Sequence, residues 1–283
     1  MSAGAKIRGV DFTSAPSARK PITAATGSMV AGTLSIERIE GLRDFAAFEA
    51  WLAVPGPWIG AFDFPFGLPR ELVRTLGWQV EGSASGQAWE RMVEVLSAHT
   101  RAQLVARLRA FCDARPPGGK FAHRATDGPA GSSPSMKWVN PPVALMLHAG
   151  APLLAASGVH LPGLRDGDPR RVALEGYPGL LARAIVGRAS YKSDDRARQS
   201  AQRQAVRETI VEAIGAGEHP LGLRARLPAV LRERCVADPT GDALDAVLCA
   251  LQAAWAWLRR DAGYGLPGVI DPLEGWIVTA AES

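Results

Sequence analysis

The feature that most constrains this chain is a run of five apolar residues closed by an acid: Trp58-Ile59-Gly60-Ala61-Phe62, followed by Asp63, Phe64 and Pro65. A strand with one wet face alternates apolar and polar residues, whereas a strand that is apolar throughout has no wet face and belongs inside a covered sheet. The run therefore predicts a central strand with layers packed on both sides. Upstream, residues 6–12 form a short apolar run, and Ser14, Pro16 and Ser17 read as a turn. Residues 21–30 and 33–39 carry small and β-branched residues at strand spacing, which completes a three-stranded meander. Leu42, Phe45, Phe48, Trp51 and Leu52 recur every three or four residues, the mark of an amphipathic helix. Val172-Ala173-Leu174 before Glu175 reads as a further buried strand, and residues 87–112, 177–186, 194–214 and 242–259 read as helical. A meander followed by strand–helix units predicts an α/β fold with a mixed sheet covered on both faces.

The 283 residues are read as a single domain spanning 1–283, with residues 76–165 as a helical and loop insertion. Inside it, residues 113–142 are rich in Pro, Gly and Ser and hold Lys120, His123, Arg124, Asp127, Lys137 and Trp138; loops of this length are usually functional or mobile. The longest apolar runs fall far short of the roughly 18 residues that span a bilayer, and Lys6 and Arg8 precede no signal-peptide core. The expectation is a cytoplasmic protein with no membrane partner. Cys112, Cys235 and Cys249 form no C-x-x-C pair and are read as reduced thiols. The five histidines lack metal-ligand spacing, which argues against zinc. Phosphate-loop and dinucleotide fingerprints are missing, and Gly82-Ser83-Ala84-Ser85-Gly86 fails as a nucleophile elbow because Ala84 stands at the nucleophile position. Lys and Arg total 32 against 28 Asp and Glu, with the cations concentrated in 101–137 and 165–207. Such an excess is compatible with a polyanionic partner and equally with solvated helix faces.

Three acids share one local setting. Asp11, Asp63 and Glu175 each end an apolar strand-like run, and each is followed by a turn proline, Pro16, Pro65 and Pro178. Ligands of open α/β sheets bind outside the carboxyl ends of the strands, so three acids there can converge. Singly, each could also cap a helix or close a turn. Asp242 and Asp245, three residues apart, share one face of the last helix, where they suit either helix capping or metal binding. Carboxylates alone make an oxygen-only site, which suits Mg²⁺ or Mn²⁺.

Gly9-Val10-Asp11-Phe12 with Ser14 and Pro16, Phe62-Asp63-Phe64-Pro65-Phe66-Gly67, Glu175-Gly176-Tyr177-Pro178, Tyr191-Lys192, Asp242-Ala243-Leu244-Asp245-Ala246 and Glu274-Gly275-Trp276-Ile277 resemble the domain of unknown function 429 family. Arg124-Ala125-Thr126-Asp127 and Asn140-Pro141-Pro142 are similar to further blocks of that family. The resemblance runs from Gly9 to Ile277, least well over 76–165. It implies a ribonuclease H-like fold, a mixed five-stranded sheet covered by helices, and a predicted nuclease activity. It also implies a metal site of Asp11, Asp63, Glu175 and Asp242 or Asp245, the helix pair being closer to the Holliday-junction resolvase branch than to ribonuclease H. The first helix carries no acid matching the ribonuclease H glutamate unless Glu49 serves.

The function expected is thus hydrolysis of DNA or RNA by two-metal carboxylate chemistry, with Mg²⁺ or Mn²⁺ activating water and stabilising the leaving oxygen. Asp11 and Asp63 would bridge the cations, Lys192 would neutralise a phosphate oxygen, and Arg124 would grip the substrate backbone. The alternatives are a catalytically silent nucleic-acid-binding protein of the same fold and a sugar-kinase or actin-type phosphotransferase, which needs a second copy of the sheet.

Overall fold

A computed structural model describes residues 5–80 and 87–282; the 82–86 segment rejected above as an elbow lies outside the described residues. The strands are β1 (Lys6–Asp11), β2 (Ile22–Val30), β3 (Thr33–Leu42), β4 (Trp58–Asp63), β5 (Val159–His160), β6 (Asp168–Glu175) and β7 (Arg224–Arg226). The helices are α1 (Phe45–Ala53), α2 (Arg70–Thr75), α3 (Gln87–Ser97), α4 (Arg101–Asp113), α5 (Asp127–Ala130), α6 (Val143–Ser157), α7 (Pro178–Val186), α8 (Ala201–Ala216), α9 (Ala229–Ala237) and α10 (Asp242–Trp257). They form an α/β protein with one mixed sheet in the order β5-β6-β4-β1-β2-β3-β7. β1, β2 and β3 are the expected antiparallel meander, and β4 and β6 add parallel to β1.

The sheet has seven strands where five were expected. The two additions are edge strands of two and three residues, β5 and β7, too short to show a period of two in the sequence. The expected 87–112 helix is two helices, because Thr100 stops the first and opens the second with a reciprocal capping box to Gln103. Helix α6 is absent from the sequence reading; its Ala, Gly and Leu residues and internal Pro152 give little amphipathic contrast.

Alternate strand residues feed two cores. Val10, Phe62 and Ala173 join the side chains of α1, α3, α4 and α6 on one face. Ile7, Ile59, Ala61, Val172 and Leu174 join those of α7, α8 and α10 on the other. Residues of the 76–165 insertion therefore share a core with the sheet, and Trp58 and Phe62 are buried as the apolar run requires. Burying each such side chain contributes roughly 2–3 kcal/mol.

The second face is set by how closely α10 approaches β1. At Gly9 an added Cβ would lie 2.1 Å from the carbonyl oxygen of Ala246 and 2.2 Å from the amide nitrogen of Ala250. Those atoms are backbone and cannot swing aside. Gly9→Ala is expected to destabilise the fold by about 3 kcal/mol, at the upper end of ordinary overpacking, measured by urea unfolding. An unchanged midpoint would show that the helix shifts freely.

Candidate metal centre at the carboxyl edge of the sheet

Strand parity decides which side chains meet. β1 and β4 are parallel, with Asp11 beside Asp63 in the register, and such partners project to the same face. Ile7, Ile59 and Ala61 face α10, so Asp11 and Asp63, an even number of residues further on, face it too. From α10, Asp245 points back at both strand ends. Carboxylate oxygens of Asp11, Asp63 and Asp245 lie within 4.8 Å of one another. Asp245 is fully buried, and the other two are half-buried on the floor of a cleft of about 600 Å³.

Asp245 is held on both oxygens. The Tyr191 hydroxyl donates to Oδ1 at 2.5 Å and the Lys192 ammonium pairs with Oδ2. The segment that delivers these two is itself pinned from α8: Arg207 donates to the Tyr191 carbonyl at 2.7 Å and Arg203 to that of Lys192. Among the described residues none donates a hydrogen bond to the carboxylates of Asp11 or Asp63.

These environments move the proton affinities. Burial, opposed by Lys192 and reinforced by Asp245 and Glu175, pushes the Asp63 carboxyl up to about 7. Burial, together with the charges of Asp245 and Asp242, raises Asp11 well above the carboxylate range. For Lys192, burial works against the ammonium, but Asp245, Tyr191, Asp11 and Asp63 outweigh it and hold the group protonated. The buried thiol of Cys249, one helical turn after Asp245, is pushed up by burial and then by Asp63, Asp245 and Asp11, which leaves it inert.

Asp242 lines the same cleft but is outside the three-oxygen cluster. Burial and Asp238 raise its carboxyl. Neither it nor Asp245 caps α10. The N-cap is Gly241, and Asp238 does the capping, accepting from the amide of Ala243 at 3.0 Å.

Two other expected site residues, Glu175 and Arg124, line the same cleft but stand outside the three-oxygen cluster. Glu175 pairs in register with Phe62, not with Asp63, so its side chain leaves the sheet on the opposite face from the acid cluster. There it meets Arg124. The Arg124 guanidinium donates to Glu175 Oε1 and Oε2 at 2.7 Å, to Asp127 Oδ1 at 2.9 and 3.1 Å, and to the Glu274 carbonyl at 2.9 Å. All five of its N–H donors are thereby occupied. It is 3% exposed, so the expected grip on substrate phosphates is not open to it. Glu175 is raised by burial against the lowering effect of Arg124, and its Oε2 also accepts from the amide of Phe66. This network ties the insertion to the end of β6 and to the C-terminal segment.

Four cations of the basic stretch 165–207 are engaged within the protein. Arg165 pairs with Glu90, Arg171 with Asp168, and Arg203 and Arg207 hold backbone carbonyls. Glu49 is exposed on α1 and outside the cluster. Tyr191 went unassigned because nothing in its local sequence says that it reaches a helix more than fifty residues later. Among the described residues no helix is long and apolar enough to cross a membrane. Compared with models of protein families, with curated proteins and with solved structures, the chain matches none.

Two outcomes follow from this geometry. Asp63 is near 3.8 when unperturbed and about 7 in the fold, so between those values the native protein holds a proton that the unfolded chain has released. Stability in chelator is therefore expected to fall as pH rises from 4 to 7, and Asp63→Asn to flatten that decline. Melting curves across this range check it, and identical slopes for the two proteins would refute the Asp63 assignment. Separately, Arg124→Met leaves Glu175 and Asp127 buried without their cation, and a loss of about 3–5 kcal/mol is expected in denaturant unfolding.

Proposed function

We propose that this chain is a ribonuclease H-like nuclease of the domain of unknown function 429 family, hydrolysing phosphodiester bonds of nucleic acid with Mg²⁺ or Mn²⁺. The observation that carries the proposal is the convergence of Asp11 and Asp63, at the floor of the cleft, with the buried Asp245 behind them. The strand order β3-β2-β1-β4-β6, antiparallel over the meander and parallel beyond it, with α10 laid across β1, supports the fold part of the reading.

The donor set fits a hard divalent cation. It is made of oxygens only, and two of its three carboxylates have no hydrogen-bond donor among the described residues. Asp11, Asp63 and Asp245 would hold the metal, with Asp242 adding negative charge at the same cleft. When bound, the cation supplies Lewis-acid activation of the phosphodiester and a water acidified enough to attack it. The chain supplies the rest. Tyr191 fixes the Asp245 carboxylate, and the Lys192 ammonium places a permanent positive charge where a phosphate oxygen enters. Glu175 and Arg124 have no part in holding metal or substrate in this reading; they anchor the wall of the cleft.

The silent binding protein has one observation in its favour, that both oxygens of Asp245 are already engaged by Tyr191 and Lys192. A phosphotransferase of the actin type has none, since the described residues form one sheet. Calorimetry with Mn²⁺ separates the readings. Wild type is expected to bind, Asp11→Asn to lose roughly tenfold or more in affinity, and Asp63→Asn to abolish Mn²⁺-dependent cleavage of labelled oligonucleotides while melting in chelator no lower than wild type. Binding that neither substitution weakens would end the metal reading, and cleavage by Asp63→Asn at the wild-type rate would end the catalytic one.

A further inference from the structure

The acids do not lie on an open surface. The floor of the cleft, with Asp11 and Asp63, is walled on one side by the insertion and on the other by the β6–α7 turn. The insertion contributes the apolar side chains of Pro142, Val143 and Met146, and Tyr177 faces the cleft from the turn. The half-buried Tyr177 ring is fixed in place: the Arg183 guanidinium lies 5.2 Å from its centroid and donates to its hydroxyl at 3.1 Å, while its second terminal nitrogen donates to the carbonyl of Ala130 on the insertion. Gly179 leaves the ring its space, since a Cβ there would sit 2.9 Å from the ring carbons.

A volume of about 600 Å³ is that of a small-molecule pocket. A duplex holds its bases stacked and paired inside, so a base cannot turn out to Tyr177 while its phosphate lies at the acid floor. An unpaired nucleotide can, and it brings a flat apolar base that an aromatic ring and an aliphatic wall accommodate. The other end of the nucleotide, its phosphate, suits the acid floor only when a cation neutralises the carboxylates.

We propose that the substrate of this site is unpaired nucleic acid, a single strand or a frayed or flipped segment, with the base at Tyr177 and its phosphate at Asp11 and Asp63. The inference rests on the nuclease reading above and sharpens it. Fluorescence anisotropy tests it with full-length protein in Ca²⁺, using labelled single strands of DNA and of RNA and a closed-end hairpin duplex of the same sequence. Single strands of either chemistry are expected to bind at least tenfold more tightly than the duplex. Tyr177→Ala should lose roughly fivefold or more in single-strand affinity, the lower end of one base–aromatic stack, while Tyr177→Phe stays within twofold and both variants remain folded at the assay temperature by circular dichroism. Replacing Ca²⁺ by chelator should abolish the tight binding. A duplex bound as tightly as the single strand, Tyr177→Ala binding like wild type, or no binding by either nucleic acid would overturn the proposal.

The same oligonucleotides incubated with Mn²⁺ keep the two claims apart. Single-strand binding without cleavage of anything would end the nuclease reading and leave the strand preference standing. Cleavage within the closed duplex at the single-strand rate would do the reverse.

Discussion

Helix α10 lies so close to β1 that one added carbon at Gly9 has no room, and the cleft and its charge both depend on that contact. The helix carries Ala246 and Ala250 where the strand passes, and small residues on both sides permit the approach. Once the backbones are this near, Asp245 has no alternative to facing Asp11 and Asp63 across the strand ends. Three carboxylates gathered in a buried place repel one another and lose hydration. The fold meets part of that cost with Tyr191 and Lys192, and holds their backbone by arginines from α8. Helix α8 thus acts on the acid cluster without touching it.

The two faces of the sheet divide the work. On the α10 face lie the acids with two unpaired carboxylates. On the opposite face, Glu175 and Asp127 enclose Arg124 with every donor used. A buried ion triad of this kind adds little net stability over apolar packing, but removing one member is costly, which fixes the geometry. What it fixes is the junction of three distant segments. Arg124 and Asp127 come from the insertion, Glu175 from β6, and Glu274 from the C-terminal segment, whose carboxylate also accepts from the amides of Arg70 and Ala125. The insertion is therefore locked to the sheet beside the cleft it walls.

Much of this was legible in the chain. Trp58 to Phe62 could only be a doubly covered strand, and the meander, the helix after it and α10 followed from periodicity with ends off by a few residues. Convergence of Asp11 and Asp63 was legible because both end strands that had to be central. That Glu175 lines the cleft without joining the three-oxygen cluster has a reason the sequence does not contain. A strand end locates a residue along the sheet axis, whereas the face it takes depends on register, and pairing with Phe62 in place of Asp63 reverses the face. Arg124 looked free because two of its three partners, Glu175 and Glu274, are fifty and one hundred fifty residues away, and Asp127 nearby uses only part of its fork. Asp242 looked like a cap because it opens the helix, but Asp238, four residues earlier, reaches the free amide first.

The charge balance in the cleft restricts what can occupy it. Asp11, Asp63 and Asp245 surround the Lys192 ammonium, Asp242 lines the same cleft, and Lys20 stands nearby with Asp194 already bound to it at 2.7 Å. Three agents can relieve the excess: a proton, an ammonium group or a metal cation. Protons can be taken by Asp63, whose carboxyl titrates near 7, and by Asp11, which is raised well above the ordinary carboxylate range, but each proton neutralises one group and links it to nothing. The ammonium of Lys192 is committed to Asp245, and no second lysine or arginine is paired with Asp11 or Asp63 among the described residues. A divalent cation is the one agent of the three whose charge meets both strand-end carboxylates together, and its oxygen preference matches theirs. In the nuclease reading proposed above, that same cation would turn a floor that repels phosphate into one that attracts it, and metal affinity and substrate affinity would be coupled through two aspartates on adjacent strands.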